Sequence, residues 1–294
     1  MTASTTAKSR LCLGSHLSAA GGVSKAIAAA IELDTDSLQI FTKNASRWKQ
    51  KDLDPAEIER FTKLRKQWGE HKPIISHGSY LVNLASPDDV LWEKSIAGFC
   101  DELRRGAQLK LDGVVTHPGA HVGSGEDQGI ARAAKGLRRV FDECDKADFQ
   151  APRVLLENTA GGGSTLGRKF DEIARIIELV DAPGRLGVCL DSCHMFAAGY
   201  DIRDQAGYEA MTAELDELFG TGEDAIIGAW HMNDSKGECA SRLDRHEHIG
   251  QGEIGQAAFG FLMNDQRFFG VPKILETSKK DDMDRVNLDL LASL

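Results

Sequence analysis

The sequence has no long apolar run and no arrangement of cysteines that indicates a disulfide framework. Across 294 residues, no stretch approaches the roughly 18 consecutive apolar residues of a membrane-spanning helix. The six cysteines are scattered and form no CxxC pair; they lie at positions 12, 100, 144, 189, 193 and 239. This spacing argues against a thiolate zinc site and predicts reduced thiols in a cytoplasmic protein.

The sequence also lacks an excess of positive charge. Its net charge is −10, so the whole molecule would not attract nucleic acid by charge alone. Basic side chains nevertheless concentrate after three of the apolar runs described below: Lys43, Arg47, Lys49, Lys51, Lys236, Arg242, Arg245, Lys279 and Lys280. If these loops open on one face, a locally basic surface on an acidic body is compatible with phosphate binding.

Short apolar runs alternate with amphipathic segments along the chain. Eight runs have β character, at residues 11–16, 37–41, 73–77, 112–117, 153–157, 186–191, 226–231 and 271–276. The segments between them repeat apolar residues at helical spacing, near 22–32, 55–69, 89–109, 127–147, 168–181, 206–219, 255–263 and 281–293. Eight such units predict the α/β class and a single (β/α)8 TIM barrel, a fold of about 250 residues. We expect this domain over residues 10–294, after a disordered tail at residues 1–9 that is not a secretory signal.

Seven of the eight apolar runs end in histidine or a carboxylate: His16, His77, His117, Glu157, Asp191, His231 and Glu276. Three further candidates follow in loops: His194, Asp244 and His246. Strand ends converge at the active face of such a barrel, so we expect these side chains around one cavity. One strand-terminal histidine is more often a packed core residue than a ligand, but a repeated pattern predicts a multi-metal hydrolytic site. Imidazole and carboxylate ligands suit Zn²⁺, with Mn²⁺ or Fe²⁺ as alternatives.

Long motifs surround these residues. They include HPGAHVG at 117–123, ENTAGGGSTLG at 157–167, GVCLDSCHMFAAGYD at 187–201 and DRHEHIGQGEIG at 244–255. With these motifs the chain resembles the endonuclease IV family of zinc-dependent apurinic/apyrimidinic endonucleases along nearly its whole length. The resemblance implies a xylose-isomerase-like TIM barrel and a DNA-repair enzyme. Such an enzyme hydrolyses the phosphodiester 5′ to an abasic site and leaves a 3′-hydroxyl and a 5′-deoxyribose phosphate.

The resemblance also implies three zinc ions per chain, with Mn²⁺ as an alternative at one site. The first metal would have His77, His117 and Glu157 as ligands. The second would share Glu157 and add Asp191, His231 and Glu276, and the third would have His194, Asp244 and His246. Glu157 is the expected catalytic residue, because it would both bridge two metals and orient or deprotonate the attacking water.

The resemblance further assigns DNA contacts to two loops: Arg47, Tyr80 and Leu81, together with Asn44 and Lys43. Tyrosine and leucine can wedge into a base stack and hold a kinked duplex. The residues alone favour ordinary packing of Tyr80 and Leu81 at the start of a helix, and only the resemblance implies the DNA contact. The expected partner is double-stranded DNA with abasic or 3′-blocked lesions. We expect a monomer that acts in the cytoplasm, associated with the nucleoid if the source is bacterial, and that makes no membrane contact.

Some positions leave alternatives open. Gly78 stands where the family commonly has aspartate. The hydrogen bond that such an aspartate would form with His77 is therefore in doubt. His248 competes with His246 as a ligand, and His16 and His121 could contact phosphate or serve as structural histidines. We expect Cys189 and Cys193 to fill the barrel interior rather than bind metal, and Gly161, Gly162 and Gly163 to form a turn rather than a nucleotide-binding loop.

Three other functions remain compatible with the sequence. A sugar isomerase on the same barrel would need only one or two metals and would leave His194, Asp244 and His246 unexplained. A non-catalytic binder of damaged DNA would not need a complete set of ligands. A broader nuclease would also trim 3′ ends.

Overall fold

Eight parallel strands close into a barrel in a computed structural model that describes residues 11–294. The expected tail at residues 1–9 lies outside the described residues. The strands are β1 (Leu13–His16), β2 (Ser37–Ile40), β3 (Ile74–His77), β4 (Gly113–Thr116), β5 (Arg153–Glu157), β6 (Leu186–Asp191), β7 (Ile227–His231), β8 (Asp234–Ser235), β9 (His246–Glu247) and β10 (Lys273–Leu275). Strands β1 to β7 and β10 form the barrel, whereas β8 and β9 form a small antiparallel ladder. The (β/α)8 barrel expected from the sequence is confirmed.

Helices connect the strands and cover the outside of the barrel. They are α1 (Val23–Leu33), α2 (Pro55–Trp68), α3 (Asp89–Gln108), α4 (Glu126–Lys146), α5 (Phe170–Val180), α6 (Ser192–Ala198), α7 (Gln205–Phe219), α8 (Gln256–Asn264) and α9 (Met283–Ser293). Aspartate side chains cap α2 and α3, where Asp54 accepts from the Ala56 N–H and Asp88 from the Leu91 N–H, both at 2.9 Å. The periodicity did not predict α6 or the β8–β9 ladder, because both are too short to produce a repeat.

The barrel interior is closed by a small apolar plug. It consists of Ile75, Val115, Leu155, Cys189, Ala229 and Ile274, all buried. Cys189 therefore fills the interior as expected. Cys193, which was expected in the interior as well, instead lies in α6, because β6 ends at Asp191. The plug occupies the middle of the barrel, so polar residues at the strand ends lie above it at the carboxyl face.

Neighbouring strands place candidate ligands side by side. In the β6–β7 pair, Asp191 is directly opposite His231, and in the β5–β6 pair Glu157 is opposite Cys189. His117 and Glu276 each lie one residue beyond the end of their strands, β4 and β10. Across residues 11–294, no helix is both long enough and apolar enough to cross a membrane.

Candidate metal centre

Nine of the ten predicted strand-end and loop residues form three groups. In each group the potential ligand atoms lie within 4.8 Å of one another. The first cluster is His77, His117 and Glu157; the second cluster is Glu157, Asp191, His231 and Glu276; the third cluster is His194, Asp244 and His246. Glu157 belongs to two of the clusters. A further group of Asp191, Cys193 and His246 overlaps the second and third clusters.

In the first cluster, two imidazoles share one carboxylate oxygen. The Nε2 atoms of His77 and His117 each lie 3.0 Å from Glu157 Oε2. The other ring nitrogen of His77 lies 2.8 Å from the Gly78 carbonyl oxygen. A carbonyl only accepts, so Nδ1 carries the proton and donates it, which leaves Nε2 as the ligand atom. The absence of an aspartate side chain at position 78 had put an orienting hydrogen bond to His77 in doubt. The backbone carbonyl of Gly78 accepts a hydrogen bond from His77 in its place.

In the second cluster, His231 is held by a buried glutamine. Its Nε2 donates to Gln39 Oε1 at 2.8 Å. Its Nδ1 therefore faces the cluster, 2.8 Å from Glu157 Oε1 and 3.2 Å from Glu276 Oε2. Gln39 also donates from Nε2 to Glu276 Oε1 at 2.6 Å, so one amide orients both an imidazole and a carboxylate.

Asp191 links the second and third clusters through the start of α6. Its Oδ1 accepts the backbone N–H of His194 at 2.7 Å and so caps this helix. Its Oδ2 accepts from Asn233 Nδ2 at 2.6 Å. The three-residue spacing between Asp191 and His194 places both side chains at the first turn of the helix. The capping interaction therefore fixes the position of a third-cluster imidazole relative to a second-cluster carboxylate.

The third cluster is assembled by a strand, a helix and a loop. His194 Nδ1 donates to the Asn158 carbonyl at 2.9 Å, so Nε2 faces Asp244 Oδ1 at 3.3 Å. His246 Nε2 lies 3.2 Å from the same oxygen and is placed there by its pairing with Ser235 in the β8–β9 ladder. The competing His248 points elsewhere, because its Nδ1 lies 3.0 Å from Asn287 Nδ2.

The electrostatics of the clusters favour positive charge. Burial opposes ionisation of Glu157, yet His231 and His117 hold the pKa of this carboxyl well below its usual range. The His194 and His246 imidazoles, whose Nε2 atoms lie 3.3 and 3.2 Å from Asp244 Oδ1, likewise hold the pKa of Asp244 below its usual range. Burial lowers the pKa of both of these histidines. The Asp191 and Asp244 carboxylates outweigh this effect and raise the pKa of His194 to about 10 and that of His246 to about 9. Without a cation, protons would have to balance the carboxylates.

These donor sets fit metal ions. Among residues 11–294, the buried Nε2 atoms of His117 and His246 have no hydrogen-bond partner, although each lies close to a carboxylate oxygen. In three other histidines the opposite nitrogen is hydrogen bonded, so a lone pair faces a carboxylate whenever the imidazole is neutral: His77, His194 and His231. A lone pair and a carboxylate at this separation repel unless a cation lies between them. Imidazole and carboxylate are the ligands that Zn²⁺ and Mn²⁺ accept.

The proposed DNA-contacting residues lie on two adjacent loops, but they differ in exposure. Tyr80 is 63% exposed, Arg47 and Asn44 are exposed, and Leu81 is partly buried. Asn44 lines a cavity of about 800 Å³ that opens beside His16.

Lys43 differs from its loop neighbours and requires a correction. Its side chain is only 2% exposed, and its Nζ lies 3.2 Å from Asp101 Oδ2 and 3.4 Å from Glu102 Oε1. Its Nζ also donates to the Gly98 carbonyl. This lysine therefore pairs with the buried Glu102 and the partly exposed Asp101 of α3 and anchors its loop, so it is not available to DNA.

The sequence reasoning did not identify three polar residues that orient the ligands: Gln39, Asn158 and Asn233. Gln39 is a buried amide within an apolar strand, which is a signal that could have revealed it. Asn158 follows Glu157 directly, and Asn233 lies two residues after His231, so proximity to a predicted ligand was the available signal in both cases.

Two further histidines border the clusters without joining them. His16 Nδ1 lies 3.1 Å from Glu276 Oε1, so this histidine contacts a second-cluster carboxylate. His121 Nδ1 accepts the Gly125 N–H at 3.1 Å and stabilises its own loop. The glycine segment forms a turn, with φ of 76° at Gly161 and 61° at Gly163.

Known proteins share this architecture. A family model described as a xylose isomerase-like TIM barrel matches residues 27–294. The chain is 49% identical to a protein named probable endonuclease 4 from Chloroflexus aurantiacus, over 96% of this chain and 97% of that protein. The structure of endonuclease IV from Thermus thermophilus matches with a TM-score of 0.83 and 35% identity, over 96% of this chain and 97% of that chain.

A 3-keto-D-glucoside 4-epimerase from E. coli also matches, with a TM-score of 0.65 and 15% identity over 96% of this chain and 99% of that chain. At this identity the likeness shows only a common fold. The endonuclease relatives, in contrast, match in sequence along almost the full length of both chains. The chain therefore belongs to the endonuclease IV family and is an endonuclease with a xylose isomerase-like barrel.

Proposed function

We propose that this endonuclease repairs DNA by hydrolysing the phosphodiester on the 5′ side of an abasic site in a duplex. The products would be a 3′-hydroxyl and a 5′-deoxyribose phosphate, with trimming of blocked 3′ ends as a further activity. The proposed cofactors are three Zn²⁺ ions per chain, with Mn²⁺ as an alternative at one position. Residues 10–294 form the catalytic domain in this proposal, and the enzyme works as a monomer in the cytoplasm.

One observation supports this proposal above the others: three ligand groups share one face, and Glu157 belongs to two of them. A sugar isomerase would use one or two metals, so it would have no use for the third cluster. The proposed ligands are His77, His117 and Glu157; Glu157, Asp191, His231 and Glu276; and His194, Asp244 and His246. This division follows the family resemblance and agrees with the distances between the ligand atoms.

When bound, Zn²⁺ ions polarise phosphoryl oxygens and lower the pKa of water toward neutrality. Glu157 has the catalytic role among the protein residues. Its carboxylate is ionised because His231 and His117 hold its pKa low, and it is almost completely buried. An ionised carboxylate at this position can orient the attacking water and accept its proton. The histidines of the first two clusters keep Glu157 in place from both sides.

DNA recognition is assigned to the neighbouring loops. Tyr80 and Leu81 would enter the base stack beside the lesion, and Arg47 and Asn44 would contact the backbone. Tyr80 packs edge-on against Phe41, with ring centroids 5.7 Å apart, so its ring is supported on one side and exposed on the other. A missing base lowers the cost of extruding the sugar, so selectivity for the lesion follows from its deformability.

A cleavage assay tests the proposal directly. A duplex with one abasic site and an intact duplex of the same sequence are incubated with metal-loaded protein, with and without a strong chelator. We expect scission only at the lesion, only without chelator, and with a 3′ end that a DNA polymerase extends. If the lesion strand stays whole, the nuclease proposal is wrong. Metal analysis separates the rival functions, since three ions per chain are expected here and one or two for a sugar isomerase.

A further inference from the structure

Val122 combines backbone strain with exposure. Its φ is 45°, in the left-handed region, and 62% of its surface is exposed. Nine other non-glycine residues among residues 11–294 have positive φ, and Val122 is the only β-branched one. Its loop has glycine at the other positive-φ positions, namely Gly119, Gly123 and Gly125. A β-branched residue is strongly disfavoured in this conformation, so its presence needs an explanation beyond folding.

The strained conformation is held by the neighbouring loop. Val122 N–H donates to Ser164 Oγ at 3.1 Å, and His121 N–H donates to the Ser164 carbonyl at 3.0 Å. A bridge between Ala120 and Thr165 joins the same two loops. The surrounding structure therefore fixes the backbone of Val122 and directs its side chain outward, where it gains little packing within the chain.

The loop of Val122 belongs to a rim of hydrogen-bonded loops beside the first cluster. It leaves the barrel at His117, and the loop that holds it leaves the barrel at Glu157. On its other side, Asn83 joins it to the loop of Tyr80 and Leu81: Asn83 Oδ1 accepts the Ala120 N–H at 2.9 Å, and Asn83 Nδ2 donates to the Ala120 carbonyl at 3.0 Å. The exposed Val122 side chain therefore lies on the same carboxyl face of the barrel as the first cluster.

We propose that Val122 is a further DNA-contacting residue, whose methyl groups pack against the sugar or base stack of the abasic duplex beside the first cluster. This inference rests on the proposed function and extends it. The occupant is the duplex because the rim borders the proposed cleavage site and connects to the loop of Tyr80 and Leu81. The backbone strain preorganises an apolar contact, so no loop ordering is needed when DNA binds.

Substitution by asparagine separates the binding role from a structural role. Asparagine tolerates left-handed φ and lacks the apolar methyl groups, so Val122→Asn relieves strain and removes the contact. We expect its Tm to rise by about 2 °C. We expect the KM for the abasic duplex to rise about tenfold, with kcat within about twofold of wild type, because uniform binding is lost. A residue with only a structural role would not give a higher Tm and weaker binding together.

Two further variants complete the test. Val122→Ile keeps the apolar surface and should keep KM within about twofold. Ile31→Asn removes an aliphatic group that is 40% exposed at the opposite end of the barrel and should leave KM unchanged. An unchanged KM in Val122→Asn, or a raised KM together with a lowered Tm, would overturn this inference but leave the proposed function standing. If the wild-type protein does not cleave the abasic duplex, the proposed function and this inference fall together.

Discussion

Asn233 donates its side-chain amide to the Asp191 carboxylate over 2.6 Å, and its own Oδ1 accepts the backbone N–H of Glu276 at 2.9 Å. One buried amide thus fixes two ligands of the second cluster relative to each other. Ligand geometry in metal sites depends on such outer hydrogen bonds. We therefore expect Asn233 to support the candidate metal centre by orienting Asp191 and Glu276.

Replacing Asn233 with leucine should weaken metal binding at the second cluster. The side chain keeps its approximate size, but Asp191 loses a donor and the Glu276 backbone loses an acceptor. We expect metal affinity to fall by about 10- to 100-fold, measured by competition with a chelator of known affinity. Asn264→Leu, at the exposed end of α8, is the matched control and should bind metal as wild type does. Unchanged affinity in Asn233→Leu would show that the amide is not needed to orient the ligands.

Replacing Glu157 with glutamine should abolish cleavage while largely sparing the fold. Glutamine has nearly the same shape, but it can neither accept a proton nor bridge two cations as an anion. We expect the rate on an abasic duplex to fall by more than about a thousandfold, with a far-UV circular dichroism spectrum like that of wild type. Glu178→Gln, on the exposed surface of α5, should retain full activity. Cleavage at the wild-type rate by Glu157→Gln would contradict the assigned role.

Metal uptake by the third cluster should release protons. The pKa of His194 is about 10 and that of His246 about 9, so both imidazoles are protonated at pH 7.5 in the metal-free protein. A metal has to displace both protons, so its affinity should increase as pH rises and weaken as pH falls. Calorimetric titration with Zn²⁺ in buffers of different ionisation enthalpy measures the number of protons released as metal binds. Release of about two protons at this cluster is expected, and about one in His246→Gln. Metal uptake without proton release would show that His194 and His246 are neutral in the metal-free protein.

Lys273 in β10 should make stability depend on alkaline pH. Its buried Nζ donates to the carbonyls of Leu11, Phe268 and Val271, at 3.2, 2.6 and 3.3 Å. Burial lowers the pKa of this ammonium to about 8, below the value of an unfolded chain. Between about pH 8 and pH 10.5 the unfolded state therefore binds more protons than the folded state, and stability gains from this group as pH rises.

The Lys273→Met variant isolates this contribution. The difference in free energy of unfolding, wild type minus variant, should increase by about 3 kcal/mol from pH 7.5 to pH 10.5. Denaturant unfolding at the two pH values measures it, and other titrating groups cancel because both proteins contain them. A difference that does not change with pH would show that Lys273 keeps its ordinary pKa in the folded protein.

The sequence predicted the barrel and the convergence of the candidate ligands for the same reason. Strand ends of a parallel barrel converge by topology, so residues such as His77 and Glu157 meet whatever the details of packing. The family resemblance then divided the ligands into three sets, and the structure brings together the same sets. That division could not come from spacing alone, because it depends on distances between loops that are far apart in sequence.

Other features depended on side-chain direction, which sequence does not specify. Lys43 and Asn44 are neighbours in one loop, but Lys43 turns inward to Asp101 and Glu102 whereas Asn44 faces solvent. Two imidazoles two residues apart in the DRHEH segment compete for one role, and only the pairing of His246 with Ser235 places it beside Asp244. The positions of basic residues in the sequence could predict a basic loop, but not which basic side chain stays exposed and which forms buried ion pairs.

The sequence by itself determined the strand and helix periodicity, the (β/α)8 topology and the identity of the residues at the strand ends. These follow from hydrophobic patterning, which depends on residue type and spacing. Only the tertiary structure decided which ring nitrogen of His77, His194 and His231 is hydrogen bonded outside the clusters, the contacts of Gln39 and Asn233, the burial of Lys43 and the strained position of Val122. These depend on contacts between distant segments, whose directions become fixed only when the barrel closes and its loops pack against one another.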